Sequence, residues 1–292
     1  MSEWGGSLAP QTNQLIRAMA HDLLKGKKGI VFGALNDMSI AWKVALEAHA
    51  QGAEIVLTNA PVAMRMGEIH NLAKLCGDAP VIPADATNED DLQKLFEGAM
   101  EHFGGKVDFV LHSIGMSPNV RKGKQYTDIN YKFLQTTLDV SAISLHKTLA
   151  TAKKLDALNE WGSVVALSYI AAQRIFPDYG DMADAKSLLE SITRSFGYHY
   201  GVAKKIRVNT VSQSPTVTTA GSGVKGFDEF ISYSEAMSPL GNADAQSCAE
   251  YCITLFSDLT RYVTMQNLFH DGGFSNTGVS MEVISKFGPE GA

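Results

Sequence analysis

The sequence predicts an α/β fold, a doubly wound and mostly parallel sheet of about seven strands in a single domain. Three observations predict it. Short apolar runs alternate with segments of helical period along the chain. Runs such as "VDFVLH" and "SVVALS" are apolar almost throughout, as strands covered on both faces must be. No repeat, low-complexity tract or linker interrupts the alternation. The 45% apolar content supplies enough side chains for one large core.

In chain order, residues 1–23 read as a peripheral N-terminal extension, because they are polar, glycine-containing and only partly helical in pattern. The domain spans 24–292. Its strands are expected at 29–32, 54–58, 80–83, 107–112, 163–168, 207–212 and 267–270, and its helices at 39–50, 62–75, 90–102, 130–154, 183–200 and 243–258. The irregular piece from Ser212 to Asp244 is too long for a plain connection. It reads as a helical substrate-binding lid over about 213–243, with Phe227, Phe230, Ile231, Tyr233 and Met237 forming an apolar stripe.

In such a sheet ligands bind beyond the carboxyl ends of the strands, so the residues that follow each strand carry most functional weight. After the first strand, Gly33 permits a sharp turn and the next helix offers unpaired N–H groups to a phosphate, although Ala34, Leu35 and Met38 break the G-x-G-x-x-G spacing. After the third, Asp85 is placed to accept from an adenine amine, with Thr87 or Asn88 capping the following helix. After the fourth, Ser113 and Gly115 let a cofactor ribose approach. Three strand ends thus suggest a Rossmann-like dinucleotide groove. After the fifth comes "SYIAAQRIFPDYGDMADAK", in which Tyr179 and Lys186, seven residues apart, are expected on the same face of a helix and so at one site. Tyr169 would reach them only if the intervening loop folds back.

Charge and composition exclude other classes. A net charge of −6 with scattered signs leaves no basic footprint for nucleic acid or an anionic membrane. No apolar run is long enough to span a bilayer, and a cytoplasmic location is expected. The three cysteines, with Cys248 and Cys252 one helical turn apart, read as reduced packing residues. No histidines have a metal-binding spacing, so no metal is expected.

These motifs carry a family resemblance. "GALNDMSIA" resembles the G-x5-S-I-A loop of enoyl-acyl-carrier-protein reductases, a divergent branch of the short-chain dehydrogenase/reductase superfamily. "HSIG" is similar to that branch's motif after the fourth strand, and Tyr169, Tyr179 and Lys186 match its Tyr-x9-Tyr-x6-Lys pattern. The Tyr-x3-Lys of ordinary superfamily members fails, since position 183 is Ala. The likeness extends through "IRVNTVSQSP" and "HDGGFS", essentially residues 24–274.

The resemblance implies hydride transfer from NADH to the β-carbon of a trans-2-enoyl thioester in fatty-acid elongation. Catalysis falls to Tyr179, donating to the thioester oxygen, to Lys186, which also holds the nicotinamide ribose, and to Tyr169, which orients substrate or takes part in proton delivery. Gly33, Ser39 and Ile40 would contact pyrophosphate and ribose, Asp85 and Ala86 would flank adenine, and Ser113, Ile114 and Gly115 would line the nucleoside. Pro215, Thr216, Thr218 and Ala220 would cover the cofactor. Ser117, Tyr169 and Tyr179 would meet the substrate, with Phe230 and Met237 walling its acyl chain.

Two departures stand out. The family commonly reads Ser-Ala-Gly-Pro where this chain has Ser212-Gln213-Ser214-Pro215, and "TNAPVAMRMG" reads as lacking the polar residue that often follows the second strand. With no cation in "LTNAPVAM" NADH is favoured, while Arg65 keeps NADPH as the alternative cofactor. An acidic acyl carrier protein would need a local basic area, which "RKGK" from Arg121 to Lys124 or Lys225 could supply. Family analogy implies a homotetramer. The competing readings are an NADPH-dependent carbonyl reductase and a non-catalytic NAD-binding protein.

Overall fold

The computed structural model describes residues 22–65, 67–218 and 227–287, and the extension read at 1–23 therefore lies almost wholly outside the described residues. Among the described residues six parallel strands form one sheet in the order β2-β1-β3-β4-β5-β6: β1 (Lys28–Phe32), β2 (Glu54–Thr58), β3 (Val107–His112), β4 (Leu158–Ser168), β5 (Arg207–Gln213) and β6 (Asn267–His270). Strand order reverses beside β1, which opens a crevice between the β1 and β3 exits. The run at 80–83 adds no seventh strand: Val81 makes a single parallel bridge to Leu57. Pro80 and Pro83 leave too few N–H donors there for a ladder.

The helices are α1 (Ile40–Ala50), α2 (Pro61–Met64), α3 (Ile69–Leu75), α4 (Glu89–Phe103), α5 (Pro118–Arg121), α6 (Tyr131–Leu138), α7 (Ser144–Lys154), α8 (Asp181–Lys204), α9 (Phe227–Met237), α10 (Ala245–Phe256) and α11 (Met281–Ser285). Period-2 alternation along the strands divides two buried cores between the faces. Val31, Leu57, Phe109 and Val165 pack under α1 and α10, whose Cys248 and Cys252 are buried free thiols. Ile30, Val56, Val110 and Val164 pack on the other face with Leu92 and Phe96 of α4 and Leu189 of α8. No helix among the described residues is long and apolar enough to cross a membrane.

Three expected helices differ in ways that matter for the site. The segment expected at 62–75 breaks into α2 and α3, because Gly67 packs against the Leu35 carbonyl, where a Cβ would come within 2.7 Å of it. The segment expected at 130–154 is α6 and α7 joined through a π-helical turn, Asp139–Ile143. That turn sets Ser141 against the loop after β3, where its Oγ accepts from the Met116 N–H at 3.0 Å. The helix expected at 183–200 starts earlier, at Asp181, and runs to Lys204.

Candidate active site

The exits of β1 to β5 converge on one cavity of about 400 Å³. At its first wall the chain leaves β1 through Gly33, whose φ of +92° suits only glycine and whose missing Cβ admits the Ser113 carbonyl; a Cβ would lie 2.0 Å from that oxygen. The β1 and β3 exits can close on each other for this reason. Ser39 bounds the same loop, donating its hydroxyl to the Asn36 carbonyl at 2.7 Å instead of capping α1. The first N–H groups of α1, at the cavity, are thus left for a ligand. Gly33, Ser39, Ile40, Ser113, Ile114 and Gly115 all line the cavity.

Asp85 and Ala86 do not line it. The Asp85 Oδ1 is held by the Thr87 N–H at 2.9 Å and the Thr87 hydroxyl at 2.8 Å, a local turn that removes that oxygen from adenine recognition. Asn88 caps α4, accepting from the Asp90 and Asp91 N–H groups. The side chain that does face the cavity beyond β2 is Asn59, which the sequence reading passed over although it directly follows the strand. It donates to the Ala34 carbonyl at 3.2 Å, and its Oδ1 lies 2.9 Å from the Ala60 N–H.

At the opposite end stand the two tyrosines and the lysine. Tyr179 closes a 3-10 turn, Pro177–Tyr179, and Gly180 follows at φ 49°, ψ −136° before α8 begins. Tyr179 and Lys186 therefore share the cavity but not a helix: the turn at Gly180, and not a helical step, brings the tyrosine round. The loop does fold back, since the rings of Tyr169 and Tyr179 lie 5.0 Å apart. Phe176 sits 5.3 Å from Tyr169, and Phe230 of α9 packs edge-on against Phe176 at 5.1 Å. The result is an aromatic wall.

Electrostatics separate the roles available to these groups. Lys186 is buried, donates to the Leu167 carbonyl at 2.7 Å, and has its pKa lowered to about 8 by burial, partly opposed by the charge of Glu190 one turn on. Glu190 is itself held by the Ser168 hydroxyl at 2.8 Å and the Gln173 amide at 3.0 Å. Burial raises the phenol of Tyr179, which stays protonated. The phenol of Tyr169 is raised by burial first, then by Tyr179 and Asp271, and its buried hydroxyl has no partner among the described residues. His112, at the β3 exit, is pushed down to about 3 by burial and then by the Lys186 charge, so it is a neutral ring and not an acid in reserve.

Other expected residues are placed less simply. Ser117 lines the cavity, but its hydroxyl donates to the buried Asp181 at 2.5 Å and accepts from the Val120 N–H, so it offers the substrate no free donor. Met237 is buried and does not line the cavity, because it falls on the face of α9 turned into the protein. Pro215, Thr216 and Thr218 line it, whereas Ala220 and Lys225 lie outside the described residues. Arg121 and Gln213 also line it, and sequence patterning assigned neither to the pocket. No group of acidic, histidine or cysteine side chains among the described residues could hold a metal.

The cavity suits a dinucleotide beside a small substrate. It supplies an uncapped helix start, a glycine turn, a buried ammonium with N–H groups to spare and an unpartnered tyrosine hydroxyl, with no acidic side chain in its lining. Comparison with known proteins agrees. Residues 33–275 match the family model described as enoyl-(acyl carrier protein) reductase. The chain is 33% identical over 261 residues to the NADH enoyl-[acyl-carrier-protein] reductase FabI of Rickettsia bellii, covering 89% of this chain and 98% of that protein. It superimposes on the FabI–NADH complex of Alistipes finegoldii with a TM-score of 0.90 at 62% identity, covering 93% and 95% of the two chains. It also superimposes on the Bacillus cereus enoyl-acyl carrier protein reductase with NADP+ and an indole naphthyridinone, with a TM-score of 0.82 at 29% identity over 88% and 99%. With its paired tyrosines and lysine on one dinucleotide cavity, the chain belongs to the enoyl-(acyl carrier protein) reductase family.

Proposed function

We propose that this chain reduces trans-2-enoyl thioesters carried on acyl carrier protein, using NADH, in fatty-acid synthesis. The observation that carries the reading is the convergence of Tyr169, Tyr179 and Lys186 on one cavity, with the two phenol rings 5.0 Å apart. When bound, the reduced nicotinamide supplies the hydride that adds to the β-carbon. The chain's own residues then manage the charge that develops on the thioester oxygen. Tyr179, kept neutral by burial, donates its hydroxyl to that oxygen as it becomes an enolate. Lys186 uses its remaining N–H groups on the ribose hydroxyls and sets a positive charge beside the enolate. Tyr169 has an uncommitted hydroxyl with which to orient the thioester. Phe176 and Phe230 exclude water and offer an apolar wall to the acyl chain, where each buried methylene contributes about 0.8 kcal/mol.

NADH is favoured over NADPH because no Arg or Lys lines the cavity beside Asn59 and Ala63, and Arg65 is exposed and outside the lining. A carbonyl reductase would need the Tyr-x3-Lys pair that Ala183 breaks. The domain is taken as 24–292 with its lid at about 213–243, and the enzyme as a cytoplasmic homotetramer, which light scattering of the purified protein tests. The carrier would dock at the basic turn of Arg121, Lys122 and Lys124; Arg121 lines the cavity, and Lys122 lies 4.4 Å over the Phe133 ring. The decisive test is NADH oxidation with a short trans-2-enoyl thioester. An inactive wild type that still binds NADH would sink the reductase reading.

A further inference from the structure

Gln213 stands where the family commonly has alanine, and its side chain makes a closed set of contacts. The Nε2 group donates one N–H to the Ala243 carbonyl at 2.8 Å and lies 3.3 Å from the Thr216 hydroxyl oxygen, while Oε1 lies 2.7 Å from Nδ1 of His270. The Thr216 hydroxyl already donates to the Ser214 carbonyl at 2.9 Å, so towards Gln213 it accepts. Backbone bonds reinforce the junction: the Ser214 N–H donates to the His270 carbonyl and the Ala243 N–H to the Ser214 hydroxyl, each at 3.0 Å. One buried amide therefore joins the end of β5, the turn at Ser214–Thr216, the chain entering α10 and the end of β6.

This arrangement also fixes a proton. A backbone carbonyl only accepts, so the Ala243 bond orients the Gln213 amide and leaves Oε1 towards His270. His270 must then carry its hydrogen on Nδ1. The ring is held flat against Tyr251 of α10, with centroids 5.1 Å apart and planes at 15°. Pro215 and Thr216, on the turn that the amide braces, line the cavity next to the β5 exit.

We propose that Gln213 is a positioning residue for the cofactor: clamped between His270 and Ala243, it holds the Ser214–Thr216 turn at the rim of the dinucleotide cavity. The assignment rests on NADH binding in that cavity, so binding is measured without thioester. The first measurement is the NMR spectrum of wild-type protein carrying 15N-histidine, with His270→Gln to identify the resonance; it should show His270 protonated on Nδ1. The second is a titration of NADH by fluorescence into wild type and Gln213→Met, which keeps volume and loses every hydrogen bond. Its dissociation constant should rise roughly three- to tenfold, the range of one or two net hydrogen bonds. The KM for NADH should rise by a similar factor and by more than kcat falls, and the Nδ1–H signature of His270 should be lost. Wild-type His270 protonated on Nε2 overturns the clamp, even if the methionine variant fails to fold. An unchanged NADH dissociation constant in Gln213→Met overturns the positioning role. Wild type that binds no NADH overturns the functional reading itself, and this assignment with it.

Discussion

At its nucleotide end the cavity is walled by strand exits, Gly33 after β1, Asn59 after β2 and Ser113 to Gly115 after β3, each fixed by the ladder it leaves. At its tyrosine end the wall is a loop folded back on itself, with Tyr169, Phe176 and Tyr179 in ring contact and Gly180 turning the chain into α8. Sheet hydrogen bonding positions the first wall to the residue, so its members should tolerate loss of a single side chain. The second depends on a few rings and one unusual backbone angle. Binding and chemistry should therefore fail separately, and variants at each end can break or sharpen that division.

The largest effect is expected at Tyr179. Tyr179→Phe keeps the ring packing on Tyr169 and removes the proposed donor to the enolate oxygen. Its kcat should fall by about 10²- to 10³-fold, the usual loss for one such donor. NADH affinity, measured by direct titration, should change little. A comparable loss of NADH binding would show that the two ends are one unit.

Lys186 joins both ends, and its effect is next in size. Lys186→Met should weaken NADH binding by roughly tenfold or more, as expected for loss of a charged donor. pH adds a sharper test. With its pKa lowered to about 8 by burial, the ammonium loses its proton as pH rises through that value, and activity should fall on an alkaline limb centred there. Stability should move the other way. Between about 8 and the ordinary lysine value of 10.5 the unfolded chain holds the proton and the folded one does not, so stability rises with pH across that window. Lys186→Met should lack both trends; an alkaline limb that survives in it belongs to another group.

A smaller effect is expected at Gly180. Its φ of 49° with ψ −136° is a region that L side chains rarely adopt, and a Cβ would meet Val120 Cγ2 at 3.3 Å. Gly180→Ala should cost about 1–3 kcal/mol of stability and shift Tyr179, lowering kcat while NADH affinity is retained. A variant as active and as stable as the parent would mean that the turn does not depend on this angle.

The same division explains what could be read from the chain. Strand exits follow directly from apolar runs, and pattern alone points to Gly33, Ser113 and Gly115, while Ser39 and Ile114 come from the family resemblance; all five line the cavity. Asp85 falls outside the cavity lining because the side-chain chemistry that suits an adenine also suits a turn, and Thr87 is nearer. The helical face predicted for Tyr179 and Lys186 failed because Gly180 can leave helical angles without cost, which composition does not reveal. The contacts of Gln213, a visible departure in the sequence, and those of Asp181 are not legible there because their partners are tens of residues away, at His270 and at Ser117 and Thr137.

The smallest effect is expected at Asn59, and it tests the sturdier wall. Its amide spans from the β2 exit to the Ala34 carbonyl on the β1 exit, across two strands already paired in register. The ladder holds both ends of that bond, so Asn59→Ala removes two half-buried hydrogen bonds, to the Ala34 carbonyl and from the Ala60 N–H, and a polar face on the cavity without freeing the backbone. NADH affinity should drop by only about two- to fivefold, within the net worth of one such bond, and the KM for the thioester should not move. A loss as large as that of Lys186→Met would show that the β2 exit is held by this amide and not by the sheet. The contrast between a wall built by strand pairing and a wall built by side chains would then fail at its stronger side.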